Sequence, residues 1–330
     1  MLVDSLIFAI NAVTPIVAMV VLGYLLKKTG FIDEKFAKQA NKLVFRVFLP
    51  VMLFSNVYKV GSFAELDYGY ILYAAVASIA IFLLAFPVVL AVTKKPERRG
   101  VMLQAAFRSN YALVGIALAG SLFGEIGELM ASVMSLVSVP LINILAVISL
   151  TIFNKEGKRP TLGSVLLGII KNPLIRAIAL GIAAVILREV LGGAGITLDI
   201  RDIAPVWKVV GYLSGIATPV ALIALGAQFE FSALPEMKKE IIVGVMMRTL
   251  IVPLLSLSVA YIFFGDRFGG AAFAALAAMF ATPNAVSTVP MTQEMGGDAA
   301  LAGQLVVWST LFSTFTIFMT AFVFRLLGVF

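Results

Sequence analysis

Two polar segments interrupt long apolar stretches of this chain, and they carry the side chains best suited to binding a solute. The first segment covers residues 108–111, and the second covers residues 281–297. Backbone inside a membrane can leave the helical conformation only where it faces protein or a water-filled cavity. Two interruptions at corresponding places in the two halves of a chain therefore indicate a solute-binding site near the membrane midplane.

The chemistry that these segments offer is the binding of an anion. A broken helix leaves unpaired N–H groups at the start of its second half, and their partial positive charge attracts anions. We expect the second halves to begin near residues 112–114 and 286–288. No Asp or Glu lies within a helical turn of the breaks themselves, at Asn110 and at Pro283-Asn284, which favours a negatively charged ligand. The candidate ligand-binding residues are Arg108, Ser109, Asn110, Tyr111, Pro283, Asn284, Ser287 and Thr288.

The uncharged candidates also have a plainer interpretation. Asn110 and Asn284 each offer a donor and an acceptor to a carboxylate, but a membrane asparagine can also simply join two helices. Pro50 and Pro219 predict kinks that serve packing rather than ligand contact. Three further polar residues lie in predicted spans: Gln104, Asn143 and Gln304. We expect them to form hydrogen bonds between helices, and lining of the cavity is the second interpretation.

The charged residues inside apolar stretches leave similar alternatives open. Arg108 borders the predicted site and can steer a ligand, although it can also extend to lipid phosphates. We expect Arg46 and Arg176 to contact lipid phosphates. For Arg248, ligand steering and contact with lipid phosphates both stay open. Glu294 is a candidate for ion coupling because ionisable groups at membrane depth are usually functional. It can equally cap a helix end in water.

Composition identifies an integral membrane protein. Hydrophobic residues make up 61% of the 330 residues and charged residues 13%, with a mean hydropathy of +1.04, whereas soluble domains are about one quarter charged. The first apolar run has no basic residue before it and is too long for a signal peptide, so it predicts a first membrane helix. Ten runs are long enough to cross a bilayer: about 4–26, 43–60, 68–92, 101–124, 129–153, 173–191, 205–228, 241–264, 269–293 and 299–327.

The net charge of +7 reflects membrane topology and does not indicate a nucleic-acid partner. Of the 25 Lys and Arg residues, four lie deep in the predicted spans, fifteen lie on one side of the membrane and six on the other. Because basic residues concentrate on the cytoplasmic side, both termini are expected outside, in a multi-pass protein of the cytoplasmic membrane. The six on the outer side are Lys59, Arg188, Arg201, Lys208, Arg267 and Arg325.

Enzymatic chemistry is the disfavoured alternative. The chain has no Cys and no His, which excludes a thiolate nucleophile, a disulfide framework and imidazole metal ligands. An intramembrane enzyme needs a nucleophile–base pair or a metal cluster at membrane depth, and Asp and Glu occur only near span ends. We therefore expect no catalytic residue, no metal and no cofactor. Coupling to Na⁺, to H⁺ or to neither stays open.

The polar linker at 154–160 divides the chain into two sets of five spans, 1–153 and 154–330. Leu49-Pro50 in span 2 and its following segment at 62–66 correspond to Thr218-Pro219 in span 7 and the segment at 231–234. An odd number of spans per repeat makes the second repeat insert upside down, which gives related conformations open to either side. The alternative to a true internal repeat is chance similarity among apolar helices.

Across essentially its whole length, the chain resembles the auxin efflux carrier family in its short prokaryotic form. The order and spacing of several pieces carry this resemblance more than any single one. The pieces are 41–45 with Leu49-Pro50; 107–111 with Val114-Gly115 and 122–124; 171–175; Arg248 with Pro253; 282–287 with 295–298; and 309–313.

The resemblance implies an all-α fold of ten transmembrane helices in two inverted five-helix repeats, like that of bile-acid symporters and Na⁺/H⁺ antiporters. In that fold, spans 1, 2, 6 and 7 form a scaffold, through which a homodimer would form, and spans 3–5 and 8–10 form a transport domain. Broken spans 4 and 9 cross at the site of a small organic anion such as a mono- or dicarboxylate. A sodium-coupled symporter of the bile-acid type is the alternative function. The sequence departs from the family at Ala117, where a proline is usual, so the break in span 4 must depend on Ser109, Asn110 and Gly115.

Overall fold

A computed structural model describes residues 2–59, 68–153, 162–196, 199–230, 232 and 234–329. Within these ranges the chain forms helices and turns, and an isolated β-bridge joins Ser109 to Asn284. The expected all-α class is therefore confirmed. The predicted segment at 62–66, the linker at 154–160 and residues 231 and 233 lie outside the described residues.

The helices of the first half follow the apolar runs closely. Helical structure at the run predicted for 43–60 begins earlier, at Glu34. Asp33 caps this amphipathic helix by accepting a 2.7 Å hydrogen bond from the Phe36 N–H. The helices are α1 (Leu2–Lys28), α2 (Glu34–Leu43), α3 (Leu49–Tyr58), α4 (Tyr68–Val92), α5 (Pro96–Phe107) and α6 (Ile116–Ile152).

The second half begins with a short helix that the sequence analysis did not predict, since no apolar run was assigned between 153 and 173. Asn172 ends α7 and caps α8, accepting a 2.9 Å hydrogen bond from the Leu174 N–H across Pro173. The helices are α7 (Leu162–Lys171), α8 (Pro173–Gly193), α9 (Ala204–Gln228), α10 (Leu234–Met246), α11 (Val252–Phe264), α12 (Gly270–Phe280), α13 (Thr288–Glu294) and α14 (Ala299–Leu326).

Three wide π-helical turns lie between helices. The turn Val44–Phe48 connects α2 to α3 just before Pro50, and the turn Met247–Ile251 connects α10 to α11 just before Pro253. Proline has no N–H to bond the carbonyl four residues earlier, so the helix widens at that point. The third turn, Tyr111–Gly115, leads into α6 without a proline.

Six continuous helices among the described residues are long and apolar enough to cross a membrane. The chain is thus a multi-pass membrane protein, whereas ten crossings, the repeats and the side of each terminus stay predictions. The six ranges are Glu34–Tyr58, Tyr68–Val92, Ile116–Ile152, Ala204–Gln228, Leu234–Phe264 and Ala299–Leu326.

The helices pack in two groups, which also contact each other, most extensively through α1 and α14. In one group α9 contacts α1, α2 and α3, and α8 packs against α3. At the contact of α1 with α9, a Cβ atom on Gly23 would overlap the Ile223 carbonyl, and one on Gly226 would overlap the Val20 carbonyl. The two backbones therefore touch, as small residues permit in membrane helices.

The second group surrounds α12, whose residues from Ala271 to Phe280 are all buried. This helix packs mainly against α6, and α4, α5, α10, α11, α13 and α14 complete the group. Arg98 joins three of these helices, because its guanidinium contacts Glu236 (2.9 Å), Glu240 (3.2 Å) and Asp298 (2.9 Å). Elements from both halves of the chain are thereby tied together.

Candidate functional site

The first polar segment is a complete break between α5 and α6. Arg108, at φ −84° and ψ 92°, and Asn110, at φ −79° and ψ 46°, both leave the helical conformation. Helical structure resumes at Tyr111, close to the expected position. At Gly115 a Cβ atom would lie 2.8 Å from the Ala278 carbonyl oxygen, so this glycine lets the turn approach α12 closely.

The second polar segment separates α12 from α13. Residues 281–287 are non-helical, and α13 begins at Thr288, again close to the expected position. Each second half-helix then ends at a glycine in the left-handed region, Gly124 with φ +63° and Gly296 with φ +77°. In the first case the non-helical Phe123 and Gly124 divide the long helix α6.

The two breaks cross and pair with each other. The Asn110 N–H donates to the Pro283 carbonyl at 2.8 Å, and the Ala285 N–H donates to the Arg108 carbonyl at 3.1 Å. These two bonds form the bridge between Ser109 and Asn284. Backbone groups that the broken helices leave open are thus satisfied by the opposite break. The sequence-predicted segments therefore meet at one point in the fold, where the bridge joins residues 175 positions apart.

A cavity of about 40 Å³ lies beside this crossing. The first break contributes residues 108–112 to its wall, and the second contributes residues 285–287. The lining from α3 and α9 of the other helix group is apolar apart from Thr218, and α6 and α8 contribute the remaining residues; neither Pro50 nor Pro219 borders the cavity. The residues from these four helices include Leu49, Met52, Leu53, Val139, Ile142, Asn143, Leu174, Ala217, Thr218 and Ala221.

Arg108 places a fully buried positive charge against this cavity. Its exposed fraction is 1%, and its Nη2 donates to Asn143 Oδ1 and Ser287 Oγ, both at 3.1 Å. Its Nη1 donates to Gln104 Oε1 at 2.7 Å and to Met291 Sδ at 2.9 Å. Among the described residues no carboxylate forms an ion pair with it. All its partners are neutral, so the charge itself is unmatched.

Comparison with known proteins agrees with this architecture. The sequence profile of a family described as membrane transport protein, which includes the auxin efflux carriers, matches residues 8–320. The chain belongs to this family. It is also similar to a protein described as an uncharacterized transporter from Methanothermobacter thermautotrophicus, with 24% identity over 327 residues, covering 92% of this chain and 94% of the relative.

In this membrane transport protein the two candidate asparagines differ in their contacts. Asn110 is 5% exposed and lines the cavity, and its Nδ2 has no hydrogen-bond partner among the residues that the structure describes. Asn284 holds α14 instead, because its backbone N–H donates to Ser309 Oγ at 3.1 Å and its Nδ2 donates to the Leu305 carbonyl at 3.5 Å. Asn110 is thus the better placed of the two to contact a ligand.

The remaining predicted site residues fall into two sets. Ser109, Tyr111 and Ser287 border the cavity, and the Tyr111 hydroxyl is held by the Ala131 carbonyl at 2.5 Å. Pro283 and Thr288 are buried in the second break but do not border the cavity. Pro283 contributes the backbone carbonyl described above.

Glu294 lies away from the cavity, at the end of α13. Its carboxylate pairs at 3.2 Å with Arg46, which is therefore not simply extended toward lipid. Next to this pair, Asn41 Nδ2 donates to Gln228 Oε1 at 3.1 Å and to Gln293 Oε1 at 2.9 Å. These contacts join α2 and α9 of one helix group to α13 of the other.

Arg248 is a central residue whose role the sequence left open. It is fully buried, and its guanidinium donates to four backbone carbonyls, those of Ala106 (3.3 Å), Met279 (2.8 Å), Phe280 (3.0 Å) and Thr282 (2.8 Å). These carbonyls end α5 and α12, where each helix carries a partial negative charge. The only sequence signal was a cation in the middle of an apolar run.

Proposed function

We propose that this protein is a secondary transporter that moves a small organic anion, a mono- or dicarboxylate, across the cytoplasmic membrane by alternating access. The observation that supports it most is the Arg108 guanidinium, which is buried beside a small cavity and has only neutral partners among the described residues. A buried charge that lacks a counter-charge is costly. An anion in the cavity would supply that counter-charge.

The side chains around the cavity favour an anion over a cation. The described lining contains one guanidinium, the amide groups of Asn110 and Asn143, hydroxyls and apolar groups, and no carboxylate. At a separation of about 4 Å and an effective dielectric constant of about 20, opposite unit charges attract by about 4 kcal/mol. A cation would meet repulsion of the same size from Arg108. The free Asn110 Nδ2 can donate to a carboxylate as well.

The carrier architecture is part of the same proposal. Two inverted repeats, 1–153 and 154–330, would give ten spans with both termini outside. The helix group around α9 would be the scaffold, with spans 1, 2, 6 and 7, and the group around α12 would be the transport domain. The cavity lies between apolar residues of the first group and the crossing in the second. Any homodimer would form through the scaffold.

A melting experiment tests the charge sign and the ligand class together. We expect acetate, lactate, pyruvate, succinate or fumarate to raise the melting temperature of the purified protein in detergent, and amines and sugars to leave it unchanged. Arg108→Gln should lose the shift, whereas Arg176→Gln, at an exposed position, should keep it. Stabilisation by amines, or an undiminished shift in Arg108→Gln, would overturn the proposal.

A further inference from the structure

We infer that transport is an exchange of anions, in which the empty carrier returns across the membrane much more slowly than the loaded one. This inference rests on the proposed function. It comes from two buried arginines that belong to the same crossing and whose charges are balanced in different ways.

The charge of Arg248 is balanced whether or not a ligand is bound. Four of its N–H groups bond the carbonyls that end α5 and α12. Each helix C-terminus carries roughly half a negative charge, so two of them offset about one positive charge. Because the guanidinium already occupies these carbonyls, they need no further cation.

The charge of Arg108 is balanced only when an anion is present. Its partners are the neutral side chains of Gln104, Met291, Asn143 and Ser287. Water offers little help, because a cavity of about 40 Å³ holds roughly three water molecules at 10–15 Å³ each. The wall facing it from α3 consists of Leu49, Met52 and Leu53.

Movement of the crossing relative to the other helix group therefore has a different barrier in its two states. With a monocarboxylate bound, the crossing is close to neutral. Without one, it carries an unpaired, desolvated positive charge through apolar surroundings, which is unfavourable. The loaded carrier should cross in either direction, whereas the empty carrier should wait for the next anion.

Uptake into proteoliposomes tests this inference. The labelled probe is the monocarboxylate, among acetate, lactate and pyruvate, that gives the largest melting shift. One set of vesicles contains the same unlabelled carboxylate, and the other contains a bulky sulfonate buffer, too large for the cavity, at equal ionic strength. We expect initial uptake at least tenfold faster into the carboxylate-loaded vesicles. Equal rates, within twofold, would overturn exchange while leaving the proposed transport function intact.

Variants identify which residue makes the return of the empty carrier slow. Arg108→Gln should slow uptake into both sets of vesicles and bring the ratio of the two residual rates close to one, because its empty form is neutral and its loaded form carries the uncompensated charge of the anion. Arg108→Lys, which keeps the charge, and Arg176→Gln, which removes an exposed charge, should retain the wild-type ratio. A ratio that stays tenfold in Arg108→Gln would assign the slow step elsewhere and overturn the inference. No uptake into either set of wild-type vesicles would overturn the proposed function and exchange together.

Discussion

Arg108 and Arg248 are two arginines of one crossing with the same charge and nearly the same burial, yet they have opposite kinds of partner. Arg248 donates to the carbonyl ends of two helices, whereas Arg108 donates to neutral side chains around a cavity. The first arrangement is complete within the protein. Under the proposed function, the charge in the second arrangement is balanced only by a bound ligand, and this difference would separate a structural cation from a binding cation.

Replacing Arg248 should give the largest effect on stability. Arg248→Gln would leave most of four buried carbonyls without a donor, and breaking a buried charged network typically costs about 3–5 kcal/mol. We expect much less folded protein by size-exclusion chromatography and a far lower melting temperature. Arg108→Gln is the matched control and should melt close to the wild type. Similar melting temperatures for the two variants would remove the distinction drawn between the two arginines.

The asparagines extend the comparison to uncharged groups. Asn110→Ala and Asn284→Ala should both abolish uptake into liposomes, and the carboxylate-induced melting shift should disappear in Asn110→Ala. Asn110→Ala should change stability by less than about 1 kcal/mol, because its Nδ2 loses no protein partner. Asn284→Ala should be the less stable, since it loses the contact with Leu305. Wild-type flux in either variant would exclude that residue from the site.

The pair of Arg46 and Glu294 should give the smallest effect. Arg46 is 60% exposed, and exposed ion pairs contribute about 0–1 kcal/mol. Arg46→Gln and Glu294→Gln should therefore melt within a few degrees of the wild type and keep at least one tenth of its flux. If Glu294→Gln alone loses all flux while Arg46→Gln keeps it, Glu294 acts in ion coupling and the pairing described here does not account for its role.

The sequence predicted the helices and both breaks because these features have local causes. Apolar runs specify membrane helices, and the polar residues at 108–111 and 281–287 cannot face lipid. The start positions of the second half-helices were correct to within a few residues. The wide turns were not predicted, although Pro50 and Pro253 explain two of them afterwards.

Contacts between distant positions could not be predicted in the same way. The pairing of Arg46 with Glu294 joins residues 248 positions apart, and an arginine near lipid gives the same sequence signal. Arg248 showed only that a cation lies in an apolar run, since backbone carbonyls leave no trace in side-chain patterns. Asn143 was assigned first to helix contacts, yet it both bonds Arg108 and lines the cavity. The repeats and the domain division stay predictions.

The glycines at the contact of α1 with α9 restrict how this molecule can change shape. Gly23 and Gly226 each meet a carbonyl of the facing helix with no room for a methyl group. Two backbones locked in this way cannot slide or rotate past each other without separating first. The two helices should therefore move as one unit, and any large rearrangement has to take place at other helix contacts.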